Sequence, residues 1–374
     1  MIDWERLVAL RNLRVAIVGA GMIGEVHRRS ALAAGATVIG VMASTPQRGT
    51  QVAGEWGVEH AFEDIDAVAQ SDAEVVHICS PNNTHVPFAE RLAEAGKHVI
   101  VEKPVGLTAQ QGEHLREVAE RTDRIMTVPF VYRYHPLVRE IRDRYRAGEL
   151  GDLNLIHGSY LQDWLLGQKA TSWRVDPRVG GASRAFGDIG SHWCDLVEWV
   201  TGERFVSLTA ATSIAVPQRD TAQPVETEDS ALALLRSASG VLASVTVSQV
   251  AAGRKNRLWF ELDGSRGSAV FDQEHPERVW LGGPEESRLI SRGVSAGSAI
   301  SADTRRLSFL PPGHAQGYQD CFNAFVHDSY RAVRGESVEG LPTLADGVRT
   351  SHIIDALLSS ARSGQWTNIE TEQP

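Results

Sequence analysis

Val15-Ala16-Ile17-Val18-Gly19-Ala20-Gly21-Met22-Ile23-Gly24 is the stretch that decides the fold of this chain. Four consecutive apolar residues read as a buried strand, and the residues from His27 to Ala34 behind the glycines read as a helix. Gly19 permits a tight turn. Gly21 lets the backbone approach a pyrophosphate. Gly24 allows close helix–strand packing, and the helix N-terminus faces the phosphates. A glycine pattern alone also fits an ordinary turn, so the sequence on either side has to decide between the two.

It decides for a dinucleotide-binding unit. Further short apolar strands are expected at 37–42, 75–78, 98–101 and 125–128. Helices are expected at 51–56, at 86–95, and behind a Thr108 N-cap through Glu120. Buried strands alternating with helices indicate a mostly parallel sheet covered on both faces. This is an α/β chain with an N-terminal Rossmann domain over residues 1–129. From 130 to 374 the pattern changes. A helix at 137–145 precedes strands at 153–160, 205–214, 230–235, 241–247, 257–262 and 267–271, most of them consecutive hairpins. Helices return at 315–334 and 344–363. The expectation from this pattern is a second domain over 130–374 with an antiparallel or mixed sheet, and a face left open by that sheet would favour a homo-oligomer. Residues 283–312 are polar and weakly periodic, and read as an insertion, a lid or a surface loop.

Composition narrows the function. The 374 residues carry 37 Lys and Arg against 47 Asp and Glu, a net charge of -10, with 42% hydrophobic residues. Such a surplus of acid disfavours a general nucleic-acid binder. Cys79, Cys194 and Cys321 are too few and too scattered for a disulfide scaffold or a metal cluster. No metal is expected. The opening residues do not read as a signal peptide and the apolar runs are too short to span a bilayer, so the expected location is cytoplasmic.

The end of the second strand bears on the cofactor. An NAD-preferring site usually places a carboxylate there for the ribose diol. Here Ala43 occupies that slot and is followed by Ser44, Thr45 and Arg48. The hydroxyls and the guanidinium suit a 2′-phosphate, which favours NADP(H). Arg48 is also an ordinary solvated helix residue, and NAD(H) stays open.

Three residues suit proton and charge handling. Asp188 and His192 are four apart, so on a helix they share a face and the carboxylate can orient the imidazole. A helix cap with a packed polar pair has the same spacing. Lys103 follows a buried strand and precedes a proline, where it can stabilise a developing alkoxide or serve as an unremarkable surface lysine. Trp164 and Trp173 offer flat apolar faces, and Tyr132, Arg133, Tyr134, Asp163, Arg174 and His314 offer hydrogen bonds. Singly, each of these residue types is more ordinary as core or ion-pair material.

Gly19 to Gly24, Pro81-Asn82-Asn83-Thr84-His85, Glu102-Lys103-Pro104 and Asp188-Ile189-Gly190-Ser191-His192, in this order, resemble the glucose–fructose oxidoreductase and inositol dehydrogenase (Gfo/Idh/MocA) family. The resemblance spans nearly all of the chain. It implies an N-terminal Rossmann domain, a C-terminal α/β domain with a large, open, mostly antiparallel sheet for substrate binding and oligomerisation, NAD(P)-dependent chemistry on a sugar or polyol, and a homodimer or homotetramer built through that sheet. Lys103, Asp188 and His192 are implied as catalytic, with His192 as proton acceptor. Met22, Ile23, Ser80, Pro81, Asn82, His85, Glu102 and Lys103 are implied near the cofactor, and a cis bond before Pro104. The stretches 162–164, 173–177, 180–188 and 312–318 resemble the branch that oxidises glycosides and anhydro sugars, including levoglucosan dehydrogenases. That likeness implies oxidation at pyranose C3 to a 3-keto sugar. A keto- or anhydro-sugar reductase and a myo-inositol or other cyclitol dehydrogenase are the alternatives.

Overall fold

The computed structural model describes residues 13–220, 224–293 and 302–370. In chain order its elements begin with β1 (Arg14–Val18), α1 (Met22–Ala33), β2 (Thr37–Met42), α2 (Pro46–Trp56), β3 (His60–Phe62) and α3 (Ile65–Gln70). Next come β4 (Val75–Ile78), α4 (His85–Glu94), β5 (His98–Val101), α5 (Ala109–Thr122), β6 (Met126–Thr127), α6 (Pro136–Arg146) and β7 (Leu153–Leu161). Then follow α7 (Ser191–Thr201), β8 (Phe205–Ser213), β9 (Ser230–Ser237), β10 (Leu242–Ser248), β11 (Arg257–Gly264), β12 (Ser268–Asp272), β13 (Arg278–Gly282) and β14 (Ser287–Ser291). The last are α8 (Ala302–Leu307), α9 (Tyr318–Val333), α10 (Leu344–Ser363) and β15 (Thr367–Asn368). Two compact units result. One holds the described residues up to Val131 together with Tyr318–Val348, and the other holds Tyr132–Gly317 and the chain from Arg349 onward. The sequence reading draws one boundary at residue 129. The structure instead returns the chain to the first unit over Tyr318–Val348.

The first unit is a six-stranded sheet in the order β3-β2-β1-β4-β5-β6, parallel throughout. Strands β1, β4 and β5 are buried along almost their whole length, as expected where helices cover both faces. The strand order reverses between β1 and β4, which opens a crevice at their C-terminal ends. The Gly19 turn and the Ser80–Asn82 loop leave the sheet there, and Glu102 and Lys103 follow the neighbouring β5. Gly21 caps α1 in extended backbone, so the helix starts earlier than the apolar run suggests. Thr45 accepts a bond from the Arg48 amide and Pro46 fills the first helical position, so α2 also starts earlier. Thr108 caps α5 as its sequence predicts, an arrangement that contributes about 1 kcal/mol.

The second unit is a nine-stranded sheet in the order β14-β13-β12-β11-β7-β10-β9-β8-β15. All its pairs are antiparallel except β7 with β10. One face is buried, and β9 alternates strictly between inward and outward residues. Helix α7 lies deep in this unit. Trp193 has no exposed surface, and its indole donates to the Trp259 carbonyl at 3.0 Å. Gly158 makes room for that ring, because a Cβ there would come within 2.4 Å of the indole nitrogen. The opposite sheet face leaves Leu155, Leu232, Leu234 and Leu289 open.

Short elements are where sequence and structure part. Strands β3 and β15 and helix α3 are brief and carry little periodicity. The hairpin β13–β14 and helix α8 fall partly in the segment read as a polar loop at 283–312, of which residues 294–301 lie outside the described residues. Among the described residues, no helix is long and apolar enough to cross a membrane.

Candidate active site

The Gly19 turn is shaped by packing. Gly19 has φ +108°, and a Cβ on it would come within 2.5 Å of the Cys79 carbonyl. A Cβ on Gly24 would come within 2.0 Å of the Gly19 carbonyl oxygen. Gly21 is different, because nothing lies within 4 Å of where its Cβ would stand. The packing of the fold therefore does not require a glycine at 21, and its absent side chain leaves open space in front of the turn. Gly21 is exposed, Met22 is 75% exposed, and α1 has no side-chain cap. Its free amide ends suit the pyrophosphate of a dinucleotide. At the end of β2 the side chains of Ser44 and Arg48 are exposed, with Glu55 at 3.6 Å from Arg48. No carboxylate stands between Ala43 and Arg48 to repel a 2′-phosphate. The residues present fit a nicotinamide dinucleotide.

The loop after β4 is braced by Ser80 and Thr84, whose hydroxyls lie 2.6 Å apart. Pro81 is half-buried, and Asn82 is buried at the head of a single helical turn. His85, expected at the cofactor, faces inward instead. It is buried, with Nδ1 at 2.7 Å from the Pro104 carbonyl and Nε2 at 2.9 Å from that of Ser80. It ties two loops together, and burial lowers its pKa despite both carbonyls. Lys103 is half-buried and precedes a cis Lys103–Pro104 bond. Glu102 is buried beneath it, accepting from the Lys103 amide at 3.2 Å. Burial pushes the Glu102 carboxyl up, yet the His27 hydrogen bond and the neighbouring Lys103 charge bring it below the ordinary value.

In the second unit, Asp188 sits in a π-helical turn, Phe186–Gly190, that runs straight into α7. Such turns are frequent at functional sites. Buried Glu228 sets its start, accepting from Ser183 Oγ at 2.7 Å and from the amides of Arg184 and Phe186 at 3.0 and 2.9 Å. Gln249 Nε2 donates to Asp188 Oδ2 at 2.7 Å, and Arg174 Nε lies 3.4 Å from Oδ1. His192 is buried in the first turn of α7. The Tyr132 ring meets it edge-on at 4.9 Å, and the Tyr160 ring lies at 6.4 Å. The two tyrosine hydroxyls bond to each other, Tyr160 donates to Asn256 Oδ1 at 2.7 Å, and Gln162 Nε2 donates to the same oxygen at 2.8 Å. Trp164 closes the chain by donating to Gln162 at 2.8 Å and is itself 41% exposed. Arg174 lies over the half-buried Trp173 ring at 4.4 Å. Gly180 lets that turn close, since a Cβ there would meet Arg174 backbone at 2.7 Å.

Four residues expected to line the substrate have other uses. Arg133 is buried and doubly bonded to Asp195, with its Nε at 2.9 Å. Freeing it would strand that carboxylate at a cost of about 3–5 kcal/mol. Tyr134 is buried under Arg139, 4.8 Å from its ring. Asp163 accepts from Lys255 Nζ at 2.7 Å and from the Gly253 amide at 3.0 Å. His314 is exposed, and its carbonyl binds Arg292.

Two family profiles match the chain in tandem. Residues 13–130 match the oxidoreductase family with an NAD-binding Rossmann fold, and 138–270 match the GFO/IDH/MocA C-terminal domain. The chain belongs to the Gfo/Idh/MocA oxidoreductase family. Levoglucosan dehydrogenase of Pseudarthrobacter phenanthrenivorans is 29% identical, over 96% of this chain and 99% of the relative. A solved levoglucosan dehydrogenase in complex with NADH and levoglucosan superposes with a TM-score of 0.88 at 28% identity, covering 96% of this chain and 99% of that one. Inositol 2-dehydrogenase of Rhizobium meliloti is 29% identical, over 96% of this chain and 99% of the relative. Like the family, this chain is an NAD(P)-binding oxidoreductase.

Sequence reasoning missed Gln249, Glu228, Tyr160 and Asn256. Each is polar and becomes meaningful only through a partner far along the chain. It also missed His157, Glu261 and Asp263, whose ligand-type atoms lie within 4.8 Å of one another on β7 and β11.

Proposed function

We propose that this member of the Gfo/Idh/MocA family oxidises the C3 hydroxyl of a pyranose, in a glycoside or an anhydro sugar, to a 3-keto sugar. It is an NAD(P)-dependent oxidoreductase acting on a sugar or polyol hydroxyl. The carbon and the ring are our reading. The observation that carries it is the chain of hydrogen bonds from Tyr132, beside His192, to Trp164, which fixes a flat, exposed indole in the same unit as the proton acceptor. Together with Trp173 it suits the C–H face of a pyranose.

The residues divide the work. His192 takes the hydroxyl proton. Asp188, fixed by Gln249 and Arg174, supplies the negative charge that favours an imidazole in that role. Lys103 holds the negative charge that develops on the substrate oxygen. The nicotinamide, when bound, takes the hydride from the carbon and so completes the two-electron oxidation. Gly19, Gly21, Met22, Ile23 and Gly24 receive the pyrophosphate. Ser80, Pro81, Asn82 and Glu102 stand at the strand ends where the nicotinamide half is expected. Ser44, Thr45 and Arg48 face the adenosine ribose, so NADP+ is accepted as well as NAD+. The open sheet face, with its exposed leucines, favours a homodimer or homotetramer.

Initial rates with levoglucosan, alkyl glucosides, free sugars and myo-inositol, each with NAD+ and NADP+, test this reading. We expect turnover on a pyranose with both cofactors and product analysis that places the carbonyl at C3. Turnover confined to inositols, or oxidation at another carbon, overturns it.

A further inference from the structure

The first unit contains a buried line of polar groups that the mechanism above does not use. His27 and His77 have no exposed surface, and neither does Tyr330. His27 Nε2 lies 3.1 Å from Glu102 Oε1, His27 Nδ1 lies 2.9 Å from His77 Nδ1, and His77 Nε2 lies 2.9 Å from the Tyr330 hydroxyl. These groups come from α1, β4, α9 and the end of β5, so distant segments converge on one carboxylate.

The line has a direction. Glu102 Oε2 accepts from the Lys103 amide and its carboxyl is held below the ordinary value, so it stands as a carboxylate and its Oε1 accepts from His27 Nε2. A neutral imidazole that accepts at one nitrogen donates at the other. His27 therefore accepts at Nδ1 from His77 Nδ1, and His77, kept neutral by burial, accepts at Nε2 from the Tyr330 hydroxyl, which burial holds protonated. Reversing the line would require Glu102 to take up a proton and Tyr330 to become an acceptor.

We propose that Tyr330, His77 and His27 form a one-way hydrogen-bond relay that holds Glu102 ionised beneath Lys103, making Tyr330 and His77 positioning residues for the dehydrogenase reaction. The proposal rests on the role given to Lys103 above. The other groups facing Glu102 are His85 from α4, the Cys79 thiol at the end of β4 and Lys103 itself. Phe322 of α9 packs edge-on against the His27 ring of the relay at 5.0 Å.

The test is an infrared pH titration of the full-length protein without cofactor, following the carboxylic-acid carbonyl band that Glu102→Gln removes. Tyr330→Phe keeps the ring and deletes only the donor. It frees His77 to reverse, so the Glu102 midpoint should rise by about one pH unit or more. His77→Leu cuts the line one link closer and should shift it in the same direction. Phe322→Leu loosens the packing on His27 without touching a hydrogen bond and should leave the midpoint in place. In turnover, the acid limb of kcat should move to higher pH in Tyr330→Phe by the same amount. An unmoved midpoint in both relay variants overturns the proposal, as does an equal shift in Phe322→Leu. A shifted midpoint with an unmoved acid limb overturns the link to Lys103. The infrared result needs no turnover, so it stands even if the sugar reading fails.

Discussion

Replacing His192 by asparagine is expected to lower kcat by about 10³-fold, within the range of general acid–base catalysis, while NAD(P)+ affinity changes little. The separation follows from placement. The glycine turn and α1 belong to the first unit, whereas His192 belongs to α7 of the second. Asparagine keeps a polar group between the Tyr132 and Tyr160 rings, so the pocket loses its proton acceptor and little of its packing. In free-energy terms the loss is about 4 kcal/mol of transition-state stabilisation. Steady-state kinetics and a cofactor titration by nucleotide fluorescence measure the two quantities. Unchanged turnover would remove His192 from the chemistry. A parallel loss of cofactor affinity would make it structural.

Lys103→Met should cost about 10²–10³-fold in kcat, the magnitude seen when a preorganised donor to a developing oxyanion is lost. Methionine keeps most of the unbranched stem of lysine and removes the ammonium with its charge and donors. Lys103→Arg should recover little, because a planar fork cannot replace a point charge on a flexible stem. Substrate KM should rise less than kcat falls if Lys103 acts on charge that appears only in the transition state. A variant with unchanged kcat and a raised KM would assign Lys103 to ground-state binding.

Much of the fold was legible because its signals are local. Strands β2, β4 and β5 and helix α10 fall on the residues that alternation or helical spacing marks out. Glycines 19 and 24 mean in the structure what their spacing suggests, since each sits against backbone. The short strands were not legible, since two or three residues carry no period. The return of Tyr318–Val348 to the first unit depends on tertiary packing that no local pattern encodes.

The candidate site divides in the same way. Motif residues such as Gly21, Lys103, Asp188 and His192 could be named from spacing. Arg133, Tyr134, His85 and Asp163 were offered by residue type, which cannot tell an open group from one already bonded or packed within the protein as these four are. Asp195, the Pro104 carbonyl and Lys255 answer that question for Arg133, His85 and Asp163, and each lies at a distance in sequence that pattern reading does not bridge.

The central claim is that a hydride leaves pyranose C3 for the nicotinamide. Levoglucosan carrying deuterium at C3 alone, turned over with NAD+ or NADP+, measures it most directly. We predict one deuterium on the nicotinamide of each reduced cofactor and a primary isotope effect on kcat/KM that persists at saturating cofactor. Reduced cofactor free of deuterium, formed at an undiminished rate, would contradict the account.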